Sequence, residues 1–226
     1  MKKSCSNQKG FTLIELLCAF AIISILSAFA VETFVKARQK TRSTICISNL
    51  REIGVAWQLY INDYNAFPSE EDILVGGDPT ILFGGNKGNM QLDVTERPLN
   101  IYLTDNLQSG VELKIFHCPS DISGTIFGGS VYDELGTSYV ANLYSTKWNT
   151  LEGRKIDSIL TKHSRIILTG EIGWLLQAQS DPATVSFHNI KGKPIYIVVF
   201  LDAHADSVYM PKGAQSGSNW QVEVTP

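Results

Sequence analysis

Hydrophobic and polar positions divide the N-terminal third of the chain into three regimes. Residues 1–10, "MKKSCSNQKG", are polar. Residues 11–31, "FTLIELLCAFAIISILSAFAV", carry a single charge, Glu15, among 21 residues. At about 1.5 Å per residue that run is roughly 30 Å long, enough to cross a bilayer's hydrocarbon core. Beyond it the apolar residues thin to a stripe. Cys46, Leu50, Ile53, Trp57, Tyr60 and Tyr64 recur at spacings of 4, 3, 4, 3 and 4, one face of an α-helix. Polar Ser48, Asn49, Arg51, Glu52, Gln58 and Asn62 mostly take the other faces. Residues 32–64 contain no Pro and one Gly, and Pro68 supplies the stop. The pattern predicts one helix of about 54 residues, roughly 80 Å long, apolar all round in its first half and along one stripe in its second.

From 69 to about 135 the pattern is irregular. "LVGGDP", "FGGNKGN" and "IFGGSVYDELG" read as loops and turns. "ELKIFHCPS" reads as a short strand ending at Pro119. Further strands are expected in "TSYVANLY" (137–144), "RIILTGE" (165–171) and "TVSFH" (184–188). "IYIVVFLDAHADSVYM" reads as a hairpin with strands near 195–201 and 206–210. The short links favour antiparallel pairing. The residues from Pro211 to Pro226 form a polar tail expected to be loose, with Trp220 available to dock. The expected fold class is α+β: a long N-terminal helix packed on a mostly antiparallel sheet.

With 44% apolar and 18% charged residues among 226, a packed core is expected and wholesale disorder is not. A net charge of −3 without a basic face argues against nucleic-acid binding. Lys2, Lys3 and Lys9 precede the apolar run and predict a cytoplasmic N-terminus, with everything after residue 31 across the membrane. Lys36, Arg38, Lys40 and Arg42 read as a solvated stretch beyond the headgroups. A cleaved secretory signal has a shorter apolar region, although "SAFA" at 27–30 imitates a cleavage site. A lipoprotein signal fails because Leu17 precedes Cys18. A plain signal anchor fits length and orientation but leaves Glu15 unexplained, and a carboxylate in hydrocarbon costs roughly 2.5–3.5 kcal/mol.

"KGFTLIELL" accounts for that carboxylate. Basic leader, Gly10, Phe11, Thr12, Glu15 and an unbroken apolar helix together resemble the N-terminus of type IV prepilins and type II secretion pseudopilins. The resemblance implies that a prepilin peptidase cuts after Gly10 and N-methylates Phe11, and that Glu15 becomes the fifth mature residue. Cleavage leaves a positive amine on Phe11 at the membrane edge. If Glu15 of one subunit meets the Phe11 amine of a neighbour, pairing relieves both desolvation penalties and sets axial register. "SNLREIGVAWQLYINDYNAFP" resembles the segment that follows the membrane handle in pilin-like proteins with bulky heads. "FHCPSD", "TSYVANLY", "SRIILTGE" and "FHN…VVFLDAHADS" resemble the head of such proteins, which carries His, a nine-residue spacer and Asp-Gly. Here thirteen residues separate His188 from Asp202, and Ala203 stands at the Gly position. A hairpin turn often wants positive φ there, which Gly accepts and Ala resists at about 1 kcal/mol. Either the turn differs or Ala203 is strained.

The implied organisation is a cleaved cytoplasmic leader (1–10), a transmembrane and filament-core helix (11–31), its amphipathic continuation (32–68), a β-rich head (69–210) and a tail (211–226). The implied function is structural, not enzymatic: a subunit of a type II secretion pseudopilus or type IV pilus, anchored in the inner membrane with its head periplasmic. Its partners would be copies of itself, other pilin-like subunits, the prepilin peptidase and an inner-membrane assembly platform. The alternative is a signal-anchored envelope enzyme or metal-binding protein, which needs neither Gly10 nor Glu15.

Of four cysteines, Cys5 lies in the leader and Cys18 in the apolar helix. Cys46 and Cys118 fall on the oxidising side, where a disulfide between helix and sheet would contribute about 4 kcal/mol in the loop-entropy model; two buried thiols are the alternative. Asp202, His204 and Asp206 share a face if extended, and His188 is a fourth candidate ligand. Oxygen donors suit Ca²⁺, and His with carboxylates suits Zn²⁺, but no Ca²⁺ loop motif is legible, and a polar hairpin end with side-chain-to-backbone turn bonds is the favoured reading. No cofactor is otherwise indicated. His117 beside Cys118 lacks a third group for nucleophilic chemistry. Glu171 reads as a satisfied edge carboxylate, and "GGNKGN" lacks phosphate-loop spacing.

Overall fold

A computed structural model describes residues 11–73, 78–90, 92–122, 128–143, 151–176, 185–188 and 193–210. Gly10 with the rest of the leader, and the tail 211–226 including Trp220, lie outside the described residues. The chain divides into two compact units, Met1–Thr41 and Arg42–Pro226. Helix α1, Leu13–Tyr64, runs through both.

In the first unit α1 buries none of its apolar surface. Phe11 is 80% exposed, and Leu13, Ile14, Phe20, Leu26 and Phe29 are exposed like it. By length and composition it is the one helix among the described residues able to cross a membrane. Several of its hydroxyls bond back to the helix itself. Ser24 Oγ donates to Phe20 O (2.7 Å) and Thr33 Oγ1 to Phe29 O (3.1 Å), leaving little polar surface to desolvate.

In the second unit α1 carries the stripe its periodicity predicts. Cys46, Leu50, Ile53 and Trp57 are fully buried, and Tyr60 and Ile61 nearly so. Tyr64 breaks the pattern: it lies at the surface, stacked on Tyr60 at 4.6 Å. Asn65 adopts φ +52°, a left-handed stop that Asn tolerates, so the helix ends four positions before Pro68.

The sheet contains β1 (Tyr139–Ala141), β2 (Ile167–Glu171), β3 (Ile195–Phe200) and β4 (Ala205–Tyr209), in that spatial order and antiparallel throughout. Side chains on β3 alternate between two cores. Ile197 and Val199 join the α1 stripe, with Leu168, Tyr139 and Phe116. Tyr196, Val198 and Phe200 face the other way, onto Trp174, Ile172, Val131 and Val208. A strand covered on both faces reads as an unbroken apolar run, as "IYIVVF" does. Trp57 Nε1 donates to Thr169 Oγ1 (2.9 Å), satisfying the indole where helix meets sheet. Gly54 permits that approach: a Cβ there would lie 2.7 Å from Val199 Cγ2.

Two expected strands are absent. "ELKIFHCPS" forms a 3-10 turn, Lys114–Phe116. Phe116 and Cys118 both face the core across half-buried His117, which imitates strand alternation, but the backbone bonds are local, from Phe116 N–H to Leu113 O and from His117 N–H to Lys114 O. Residues 185–188 of "TVSFH" also form no strand, with Val185 helical and Phe187 and His188 in a turn. Ser186 Oγ donates to Ile195 O (2.7 Å) and accepts from His188 N–H, taking over bonds a ladder would make. The remaining irregular region contributes short helical turns, including α2 (Pro79–Leu82) and α3 (Val131–Leu135), and α4 (Gly173–Leu176) follows β2.

The β3–β4 hairpin turns through Leu201, Asp202 and Ala203. Ala203 N–H donates to Phe200 O and Phe200 N–H to His204 O, both at 2.8 Å. Ala203 takes φ +66°. This is a three-residue loop whose last residue sits in the left-handed region, a position glycine normally fills. The turn keeps its glycine geometry and places alanine in it.

Candidate functional site

Two constellations carry chemistry, one in each unit. The first heads α1. Thr12 precedes the first helical residue, and Glu15 is the third residue in. Glu15 N–H donates to Thr12 Oγ1 (3.3 Å). The Glu15 carboxylate accepts from Thr12 N–H (2.9 Å) and Thr12 O–H (2.8 Å). This is a capping box, which satisfies helix-end donors that hydrocarbon would leave without partners. Glu15 therefore has a local structural role that periodicity and charge alone do not reveal. The box engages one carboxylate oxygen, Oε2, and a carboxylate has further lone pairs for a second partner.

The second constellation is buried in the head. Cys46 and Cys118 form a disulfide with Cα atoms 5.2 Å apart, tying α1 to the segment after the 3-10 turn. Glu171 and His188 lie against it. His188 Nε2 is 2.8 Å from Glu171 Oε1, with both side chains almost fully buried. Cys118 Sγ is 3.4 Å from Glu171 Oε1 and 3.5 Å from His188 Nε2. Two contacts orient the pair from behind: Ser43 Oγ lies 2.9 Å from His188 Nδ1, and Ile197 N–H donates to Glu171 Oε2 (3.2 Å). Glu171 is thus satisfied, but at the end of an inner strand of the sheet and not at an edge. Its position follows from register: Glu171 pairs with Tyr139 on the α1 side of the sheet, where Cys46 and Cys118 meet.

His188 does not join Asp202, His204 and Asp206. The left-handed turn at Ala203 interrupts the extended alternation that would align those three. His204 Nδ1 contacts Asp202 Oδ1, and the His204 ring stacks on Phe200 at 4.2 Å. Asp206 lies exposed on β4, where its carboxylate accepts from Ser207 N–H. The polar hairpin end is what the chain builds here. His117 stacks on Tyr132 at 4.5 Å, away from nucleophilic chemistry, since Cys118 is bonded to Cys46. Cys18 is a free thiol on the exposed part of α1.

One buried group has no sequence signal at all. Arg97 is fully buried and faces backbone carbonyls: Gly84 O at 2.8 Å, Leu135 O at 3.2 Å, Lys87 O at 3.3 Å and Ile81 O at 3.4 Å. Burial lowers its pKa to about 10, so it stays charged at neutral pH. The guanidinium fork gathers α2, the loop that follows it and the end of α3.

Comparison with known proteins bears on both units. Residues 5–31 match the prokaryotic N-terminal methylation motif. Residues 35–171, more than half of the chain, match the family described as "Protein of unknown function (DUF1559)". A curated relative, the type IV wide pilus major component PilA4 of Thermus thermophilus, is 36% identical over 69 residues, covering 30% of this chain and 53% of its own length. The chain thus spans about half the length of the curated relative it matches. No solved structure matches. In its N-terminal motif, long first helix and antiparallel sheet the chain is type IV pilin-like.

Proposed function

The chain belongs to the DUF1559 family, and on that premise we propose that it is a membrane-anchored subunit of a pilus-type envelope filament. A prepilin peptidase cuts it between Gly10 and Phe11 and methylates the new amine; an inner-membrane platform then draws it into the polymer. One observation carries the reading. From Phe11 to Val35 the large apolar side chains are all exposed, so no described residue covers them. Lipid covers them in storage and neighbouring copies of the same helix cover them in a filament. The capping box at Thr12 and Glu15 lies one residue from the amine that cleavage would create. Its unused lone pairs suit the Phe11 amine of a neighbouring subunit.

Orientation follows from Lys2, Lys3 and Lys9, which hold the N-terminus on the cytoplasmic side. The Cys46–Cys118 disulfide fits a head in an oxidising compartment. The relative's name, a pilus component, favours a type IV pilus over a secretion pseudopilus.

Intact-mass analysis of membrane-extracted protein tests the proposal. The mature chain should begin with N-methyl-Phe11. Loss of Lys2, Lys3 and Lys9, with no acid among residues 1–10, takes the net charge from −3 to −6. An N-terminus at Met1, or one after Ala30, would sink it.

A further inference from the structure

The buried cysteine, histidine and glutamate side chains form a closed donor set that no part of filament assembly uses. We propose that the dithiol form of this protein binds one Zn²⁺ through Cys46, Cys118, Glu171 and His188, so that ion and disulfide are alternative occupants of one site. Among the described residues this is the one group of three or more potential metal donors, and its four ligand atoms lie within 4.8 Å of one another. A tetrahedron with Zn–S near 2.3 Å and Zn–N or Zn–O near 2.0–2.1 Å has ligand–ligand edges of about 3.3–3.8 Å. Cys118 Sγ to Glu171 Oε1, at 3.4 Å, and Cys118 Sγ to His188 Nε2, at 3.5 Å, already match such edges. His188 Nε2 to Glu171 Oε1, at 2.8 Å, is a hydrogen-bonded contact that opens slightly when an ion replaces the shared proton. The two sulfurs must separate and any edge longer than about 3.8 Å must close, and cutting the bond between the sulfurs frees both to move.

The surroundings are those of a structural zinc site. All four donors are buried, leaving no open position for water. They come from four separate segments: α1, the chain after the 3-10 turn, the end of β2 and the turn at 185–188. The second shell is in place. Ser43 Oγ holds His188 through Nδ1, leaving Nε2 for the metal, and Ile197 N–H holds the other oxygen of Glu171. Two thiolates with an imidazole select Zn²⁺ over Ca²⁺ or Mg²⁺. Loading releases the two thiol protons as the ion takes their place. A disulfide oxidant acts on the metal-free dithiol, takes up two electrons and two protons as it is itself reduced to thiols, and closes the Cys46–Cys118 bond. No thiolate then remains to hold an ion.

The test uses detergent-solubilised full-length chain, reduced with a phosphine without oxygen and titrated with Co²⁺ and then Zn²⁺. The reduced chain should bind one Co²⁺ with the intense visible bands of a tetrahedral centre and thiolate-to-metal charge transfer, both bleached by Zn²⁺. Zn²⁺ should raise the melting temperature of the reduced form, leave the disulfide form unchanged and slow re-oxidation. His188→Gln should weaken Co²⁺ binding by more than about 100-fold, since even second-shell changes cost 10–100-fold; Glu171→Gln should also weaken it. His204→Asn, at the hairpin, should change nothing. Binding without the tetrahedral spectrum would overturn the proposal, as would equal binding by the disulfide form. So would charge transfer insensitive to His188→Gln, which would indicate thiolates of an unfolded chain.

Discussion

Residues 13–41 and residues 42–64 belong to the same continuous helix, yet they meet the hydrophobic effect in opposite ways. In the first stretch apolar residues occupy every face as far as Val35, and the large ones are exposed. In the second the stripe from Cys46 to Tyr60 is buried to the last few per cent against sheet and loops, and Ile45, Val55, Leu59 and Tyr64 lie outside it at the surface. Burial at about 25 cal/mol per Å² stabilises the head from within the chain. In the first stretch the same term has no source among the described residues; under the proposed function lipid or other copies supply it. Helix propensity does not distinguish the two; the breadth of the apolar face does. A damaged head should therefore lower stability without touching anchoring, whereas damage at the tip of α1 should abolish assembly with the head intact.

The largest expected effect is at Glu15. Glu15→Ala removes both capping box and charge, while Glu15→Gln can retain the box, because Gln serves at that position. If the carboxylate pairs with a neighbour's amine, both variants should insert in the membrane and lose most filament, since breaking half of a buried pair costs roughly 3–5 kcal/mol. If the box alone matters, Glu15→Gln should polymerise normally and only Glu15→Ala should falter, at about 1 kcal/mol. Sheared-filament yield against total membrane-bound protein separates the two outcomes.

Arg97→Met should lower head stability by about 3 kcal/mol, because the carbonyls of Ile81, Gly84 and Leu135 lose a donor, Lys87 O keeping Met90 N–H, and each unsatisfied buried group costs about 1–3 kcal/mol, offset partly by removal of a buried charge. Arg97→Lys should not rescue it, since an ammonium is a compact donor without the planar fork. Urea unfolding followed by tryptophan fluorescence measures both, and membrane association should stay at the wild-type level.

Alkaline pH should act on the head in the same selective way. Burial, reinforced by Asp72 and Tyr64, pushes the Tyr60 phenol up to about 12. Burial, reinforced by Glu171, pushes Tyr139 well above its ordinary value. A phenol raised in the folded state contributes stability that is fully present below its unfolded pKa, near 10, and is lost as the pH climbs through the folded value. The head should therefore weaken from about pH 10 toward pH 12. Absorbance titration should show these phenolates appearing together with unfolding and not before it.

The smallest effect is expected at the hairpin. Ala203→Gly should stabilise the head by roughly 0.5–1 kcal/mol, because it relieves a left-handed alanine but adds backbone freedom to the unfolded chain. A few degrees in melting temperature would register it.

Much of this architecture is legible along the chain. The 4-3-4-3 stripe from Cys46 to Tyr60 marks the helix and its buried face, because helical geometry converts spacing directly into direction. Ala203 could be suspected from its place in a hairpin turn, because turn geometry is local. "ELKIFHCPS" misreads for a complementary reason: alternating burial without a partner strand looks the same in sequence as alternating burial within a ladder.

By itself the sequence determined the membrane-length helix, its stripe, the hairpin and the cysteines available for pairing, since each depends on neighbours a few positions apart. Only the tertiary structure decided that Glu171 and His188 meet beside the disulfide, that Arg97 sits buried among carbonyls, and that His188 stands apart from Asp202 and His204. Those outcomes depend on which strand lies beside which and in what register. A shift of one residue in β2 would turn Glu171 to the opposite face of the sheet. That choice is made by the summed packing of both cores, and no short stretch of residues records it.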